Sequence, residues 1–253
     1  GDGLRIVLSQ DVTERERADA MRRDFVANVS HEIRTPLTVL NGFIETMATL
    51  PLTEVERKRV LTLMGQQSER MQTLVSDLLM LAQIEGSPRP TADHWCRMSD
   101  VMQRIENDAR GLSQGRHEFS CDISPAHTMV EIAGVESEWL SAMGNLVSNA
   151  IRYTPEGGHI GVAWRTLPDG SGEFSVKDSG IGIDPEHIPR LTERFYRVDG
   201  SRSRDTGGTG LGLSIVKHVV QRHGGELRIT SEKGKGSIFT LTVPVARVRL
   251  KPL

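Results

Sequence analysis

Two long runs of apolar residues, spaced alternately three and four apart, constrain this chain more than any other feature. Between about residues 13 and 48, Met21, Phe25, Val29, Ile33, Leu37, Leu40, Ile44 and Met47 form one stripe, which Pro51 ends. Between about residues 53 and 84, Val60, Met64, Gln67, Met71, Leu74, Leu78 and Leu81 form a second. This spacing puts each set on one face of a helix, and in the second it is a heptad seam. Thr53 and Glu56 stand as a capping box where the second helix should begin. Two such helices joined by a tight loop make a hairpin with one apolar side. A lone hairpin cannot cover that side, so the pattern predicts a homodimer closed as a four-helix bundle.

The grammar changes after EGSPRPTADHW (residues 85–95), which bears Pro, Gly and Ser and reads as a linker. A helix is predicted over 99–113, short strands over 118–123 and 129–132, and a helix over 136–153 ended by Pro155 and Gly157-Gly158. Strands over 160–167 and 172–177 flank PDGSG as a hairpin, a helix covers 211–223, and HGGELRITSEKGKGSIFTLTVP closes with a second hairpin. That mixture predicts an α/β sandwich with helices on one face of the sheet. The expected division is 1–14 as the end of an upstream domain and linker, 15–86 as the helical hairpin and 95–246 as the α/β domain.

Composition excludes several classes. Hydrophobic residues make up 37% of 253, enough for packed cores, but aromatics only 4%, so the cores rest on Leu, Val, Ile and Met. The formal charge of −2 is mixed in sign and leaves no footprint for nucleic acid. Cys96 and Cys121 match no metal or redox spacing and read as reduced thiols of a cytosolic protein. No apolar run approaches the roughly 18 residues of a membrane helix, and no signal peptide is present. LRIVLSQDVTERERA reads as a last strand running straight into a charged helix, as expected of a fragment whose upstream part is missing.

Three stretches carry chemistry. In NLVSNAIRYTP, Asn145 and Asn149 lie one turn apart, with Arg152 and Tyr153 following on the stripe. Such a face offers oxygen to a hard metal and charge to phosphate, although alone it reads first as a solvated polar face. In DSGIGI a strand end delivers Asp178, and Gly180 and Gly182 let the backbone approach something flat or charged. TGGTGLGLSIVKHVV opens a helix with glycines 207, 208, 210 and 212, where exposed amides can bind phosphate. It matches neither GxxxxGK[ST] nor GxGxxG, which rejects a P-loop and a dinucleotide fold. Between the last two, ERFYRVDGSRSRDTGG holds four arginines and Phe195-Tyr196, a candidate lid that carries positive charge toward phosphates.

The order of these pieces is more specific than any one of them. An Asn helix, then Asp-x-Gly-x-Gly, then an aromatic and basic loop, then a Gly-rich helix start resembles the ATP-binding domain of sensor histidine kinases. That Bergerat-type nucleotide fold is shared with the ATPase domains of gyrase, mismatch-repair and heat-shock chaperone proteins. The resemblance covers about residues 99–245. FVANVSHEIRTPLTVL resembles the phospho-acceptor box of the kinases and is out of place in those other ATPases. The hairpin resembles their dimerisation and phosphotransfer domain, RLTERFYRVDGSRSRDTGGTGLGLSIVKHVVQRHGG resembles the phosphate-regulon sensor kinase subgroup, and DVTERERA resembles the exit of a PAS sensor domain.

The resemblance implies an ATP-dependent protein-histidine kinase that phosphorylates its own His31 and passes the phosphoryl group to an aspartate on a response regulator receiver domain. It implies a phospho-regulator phosphatase activity as well. His31 supplies the nucleophilic nitrogen, Glu32 can accept the other ring proton, and Thr35, one turn on, positions a water. Pro36 lacks an amide, so the Glu32 carbonyl loses its helical partner and α-helical bending is allowed there. Asn149 is implied as the Mg²⁺ ligand with Asn145 in support, Arg152 as a phosphate contact where the family more often has Lys, and Tyr153 as a cover for adenine. Asp178 is implied as acceptor for the adenine amino group, with Gly180 and Gly182 giving close approach. Arg197 of the lid, with Gly208, Thr209, Gly210, Leu211 and Gly212, is implied to flank the triphosphate, and Leu191 stands where an aromatic is common. The implied cofactors are ATP and Mg²⁺. The implied partners are a receiver domain and a second copy of the chain, with no nucleic acid and no membrane contact in these residues. The whole protein is expected to be a membrane-anchored sensor, with this part cytoplasmic. Two other readings remain from the residues: a conformational ATPase of the gyrase or chaperone kind, and a degenerate dimeric scaffold.

Overall fold

The computed structural model describes residues 13–122, 129–198 and 208–251. The strand expected within 1–14, residue 123 at the end of an expected strand, and 199–207 in the middle of the arginine-bearing loop lie outside them. The chain divides into two compact units, Gly1–Gln72 and Thr73–Leu253.

The first unit is the hairpin. Helix α1 spans Thr13–Thr49, and α2 spans Glu54–Gly86, its later turns belonging to the second unit. The capping box forms as the spacing predicts: the Thr53 amide donates to Glu56 Oε2 at 2.9 Å, and the Glu56 amide donates to Thr53 Oγ1 at 3.3 Å. Pro36 lies inside α1 without ending it, because only one ladder bond is lost and the ring itself is buried. Along the α1 stripe Phe25, Val29, Ile33, Leu40 and Met47 are half-buried, while Leu37 and Ile44 are exposed. The single chain thus leaves an apolar side open, as two helices must.

Among the described residues, the second unit holds two sheets, three further helices and the later turns of α2. The larger sheet contains β2 (Glu118–Asp122), β4 (His159–Thr166), β5 (Gly172–Asp178), β6 (Glu226–Glu232) and β7 (Gly236–Val243), in the order β2-β4-β5-β7-β6. Only β2 and β4 pair in parallel. A smaller antiparallel sheet joins β1 (Trp95–Arg97), β3 (Val130–Ala133) and β8 (Val248–Leu250) in the order β1-β3-β8. The helices are α3 (Met98–Ser113), α4 (Glu136–Tyr153) and α5 (Gly212–Arg222).

One face of the larger sheet is apolar because its strands alternate. In β5, Phe174, Val176 and Asp178 are buried while Ser175 and Lys177 between them are not. Trp139, Met143, Leu146, Val147 and Ala150 of α4 and Ile215, Val216 and Val219 of α5 are buried, as are Ile160, Val162, Trp164, Leu241 and Val243 of the sheet. Each such aliphatic side chain contributes about 1.5–3 kcal/mol by leaving water. The expected sandwich is therefore present. The smaller sheet was not expected, because β1 and β8 have three residues each, too few to show a period. Among the described residues, no helix is long and apolar enough to cross a membrane.

Candidate functional site

His31 is exposed on α1. One turn on, the Thr35 hydroxyl donates to the His31 carbonyl at 3.1 Å, which ties the Thr35 side chain to the histidine turn. The Glu32 carboxylate pairs with Arg70 Nη2 of α2 at 3.1 Å, and both side chains are largely buried, with 26% and 15% exposure. Arg70 was not legible in the sequence. It lies 38 residues from Glu32, and only the register of the hairpin brings the two together.

The other expected site residues converge in the second unit. Asn145, Asn149 and Arg152 form a half-buried stripe beside the apolar face of α4. The alternation of β5 delivers Asp178 to the helix-covered side of the sheet. There Asp178 Oδ1 accepts the Gly180 amide at 2.9 Å and the Ser237 amide at 3.2 Å. Burial pushes the carboxyl above its ordinary range, and the two amide bonds pull it partly back. Ser237 entered no motif, but β7 places it opposite Asp178.

The glycines are required by close approach. Gly182 has φ +64°, and a Cβ there would land on the Glu232 carbonyl oxygen. At Gly180 a Cβ would meet the Tyr153 carbonyl, which instead accepts the Ile181 amide at 3.2 Å. The loop is thus strapped to the end of α4, and Tyr153 stands exposed beside it. A Cβ on Gly208 would lie 2.8 Å from Arg152 Nη1, and one on Gly212 would lie 2.5 Å from Asn145 Oδ1. The Gly-rich start of α5 and the polar stripe of α4 therefore face each other at backbone distance.

Gly210 has φ +73°, and its carbonyl accepts the amide of Phe195, itself at φ 63°, at 2.9 Å. That bond joins the root of the arginine-bearing loop to the start of α5. Arg197 is half-buried in the same root. Leu191 follows the short turn Ile188–Arg190, and Tyr196 donates to or accepts from His187 Nδ1 at 2.7 Å beneath the Arg190 guanidinium. Thr209 is buried: its hydroxyl donates to Asp77 Oδ2 at 2.6 Å, and its Oγ1 accepts the Leu211 amide at 3.2 Å. Asp77 belonged only to the second helix's polar positions in sequence, and nothing local signals its place here.

Two family models match the chain. Residues 21–87 match the His Kinase A (phospho-acceptor) domain, which contains His31, Glu32 and Thr35. Residues 134–247 match the histidine kinase-, DNA gyrase B- and HSP90-like ATPase, which contains the stripe of α4, Asp178 and the glycines. The chain belongs to the sensor histidine kinases. Among its relatives is the phosphate regulon sensor protein PhoR of Pseudomonas aeruginosa, 48% identical over 251 residues, covering 98% of this chain and 56% of that protein. The sensor histidine kinase WalK of Bacillus subtilis is 38% identical over 245 residues, covering 96% of this chain and 40% of that one. The chain spans about half the length of the curated relatives it matches. Solved structures agree in fold. Full-length ShkA in complex with AMPPNP superposes with a TM-score of 0.63 at 25% identity, over 91% of this chain and 47% of that one. The histidine kinase ThkA, solved with the response regulator protein TrrA, gives 0.67 at 22% identity over 92% and 64%, a likeness of fold alone.

Proposed function

We propose that the chain is the ATP-dependent kinase core of a two-component sensor, with residues 15–86 as its dimerising phosphotransfer domain and 95–246 as its catalytic domain. The observation that carries this reading is the exposed histidine of a phospho-acceptor helix in one chain with an α/β unit that gathers an Asn stripe, a buried aspartate and two Gly-rich backbone approaches. Asp178 accepts the adenine amino group, Gly180 and Gly182 let the base close on the backbone, and Tyr153 covers it. Arg152, Arg197 and the amides of 208–212 take the phosphates.

A His31 ring nitrogen attacks the γ-phosphorus, the bond to the bridging oxygen breaks, and ADP leaves. Glu32 accepts the proton from the other ring nitrogen, and Arg70 holds that carboxylate in place. The phosphoryl group then passes to an aspartate of a receiver domain. In a separate hydrolysis Thr35 holds the water that attacks the phospho-aspartate, releasing inorganic phosphate and the free carboxylate. Among the described residues no three His, Cys, Asp or Glu side chains group to hold a metal. The Asn149 carboxamide oxygen, with Asn145 beside it, is the protein ligand that would hold Mg²⁺ together with phosphate oxygens and water, and the ion would neutralise developing phosphate charge. Two copies of the chain close the bundle, in the cytoplasmic part of a membrane-anchored sensor of phosphate-regulon type.

Incubation with γ-labelled ATP and Mg²⁺ tests the reading. Label should stay on the protein in an acid-labile, base-stable form. Release of labelled phosphate with no labelled protein would instead identify a conformational ATPase.

A further inference from the structure

The later turns of α2 present Leu74, Asp77, Leu81 and Ile84 along one side, and the three apolar members are buried. A carboxylate in an apolar stripe is unfavourable unless a partner compensates it. Here the partners are residues assigned above to the phosphate edge. Thr209 donates its hydroxyl to Asp77 Oδ2 at 2.6 Å across 132 residues of sequence, and the positive charge of Arg152 acts on the same carboxylate. The Leu211 amide already occupies Thr209 Oγ1 as donor, so the single hydroxyl hydrogen is committed to Asp77. A carboxylate that accepts a hydroxyl hydrogen, with a guanidinium charge acting on it, has the recognition chemistry of a phosphate oxygen.

A second grip lies two turns on. Glu85 pairs with Arg194 and lies 3.6 Å from His218 Nε2, while Arg222 donates to the carbonyls of Ile84 and of Pro88, the latter at 2.7 Å. Arg194 directly precedes Phe195, whose amide bonds to Gly210, so α2 holds the root of the loop as well as the start of α5.

We propose that Asp77 is an internal stand-in for nucleotide phosphate: its carboxylate engages the Thr209 hydroxyl at the phosphate edge, and ATP must displace it to bind. The inference rests on the nucleotide reading of this site. It makes the position of α2 and the occupancy of the phosphate edge one equilibrium, so that whatever shifts α2 shifts affinity for ATP. A latch closed for about nine-tenths of the time weakens apparent ATP affinity about tenfold, because the apparent dissociation constant is the intrinsic one divided by the open fraction. Adenosine, which has no phosphates, does not compete.

Titration calorimetry of the whole chain with ATP and with adenosine, in Mg²⁺, tests this with two variants. Asp77→Asn removes the charge, keeps the size and leaves the Leu74, Leu81 and Ile84 packing in place. Asp77→Glu keeps the charge. Asp77→Asn should bind ATP about tenfold tighter and adenosine as the wild type does, whereas Asp77→Glu should keep the wild-type ratio of the two affinities. Unchanged or weaker ATP binding by Asp77→Asn, with adenosine binding intact, overturns the stand-in. Equal tightening toward ATP and adenosine overturns it too, since the effect would not follow the phosphates. A wild-type chain that binds neither ligand overturns the nucleotide reading itself, and the inference with it.

Discussion

Asp178 is a buried acid held, among the described residues, by backbone amides alone. Its Oδ1 takes both backbone amides, from Gly180 and Ser237, and neither bond uses Oδ2. The carboxylate is thereby oriented without side-chain partners that would have to move. Asp178→Asn keeps the shape but turns an acceptor into a donor, so ATP affinity should fall by at least about tenfold, roughly 1.4 kcal/mol. Equal affinity of variant and wild type by titration calorimetry would remove Asp178 from the adenine contact. His223 makes a different residue-scale argument. Its Nδ1 donates to the Val219 carbonyl at 2.8 Å, and its ring lies 4.2 Å from that of Trp139. Burial, above all, lowers its pKa from 6.5 to about 4, and the charges of Arg247 and Arg222 act in the same direction. Folded and unfolded chains are both neutral there at pH 7. As the pH falls through 6.5 the unfolded chain takes up the proton first, so stability drops until about pH 4. The loss across that window is about 3 kcal/mol. Urea melts at a series of pH values should show this acid limb, and His223→Leu should flatten it; an unchanged limb in the variant would assign the loss to other groups.

At the scale of elements, the proposed function puts two activities on one face of α1. Thr35 is bonded to the His31 carbonyl, so its side chain is fixed beside the proposed nucleophile while its oxygen can still accept from water. In the proposed mechanism, taking a phosphoryl group from ATP needs His31, whereas hydrolysing a phospho-aspartate needs a positioned water. Thr35→Ala should keep much of the autophosphorylation, while clearance of labelled regulator falls by about tenfold or more. Alanine is the better helix former, so loss of α1 cannot explain such a split. A time course with each variant decides it: clearance as fast as wild type would end the Thr35-dependent phosphatase reading. The ends of the hairpin helices were legible in the sequence because their signals are local. Thr53 and Glu56 close their box within three residues, and Pro51 stops α1 by lacking an amide. The three-residue strands of the smaller sheet were not legible, since their pairing is set wholly by partners far along the chain.

At the scale of the whole molecule, the open apolar side of the hairpin demands a cover. Leu37 and Ile44 lie on the α1 stripe and are 43% and 54% exposed in the single chain. Sedimentation equilibrium should give twice the chain mass of 28.0 kDa, and the double variant Leu37→Glu, Ile44→Glu should sediment at 28.0 kDa itself. That variant should still bind ATP, because Asp178 and the glycines belong to the other unit. A variant that stays dimeric would place the interface elsewhere. His31→Ala should likewise bind ATP and take no label, and retained label would move the phospho-acceptor to another residue.

The parts that depend on neighbours within a turn or a strand were settled by sequence alone. The 3.6-residue stripes made the hairpin, the capping box began α2, strand alternation put Asp178 on the buried face, and Asp-x-Gly-x-Gly marked a backbone that must approach closely. Tertiary structure decided whatever joins residues that no local pattern relates. It set Arg70 on Glu32 across 38 residues, Ser237 on Asp178 across 59, and Asp77 on Thr209 across 132. It also packed the later turns of α2 into the second compact unit, which begins at Thr73. A helix is held together by bonds four residues long and can begin in one unit and end in another. Which unit its later turns join depends on where Leu74, Leu81 and Ile84 find apolar partners, and only the folded chain supplies those.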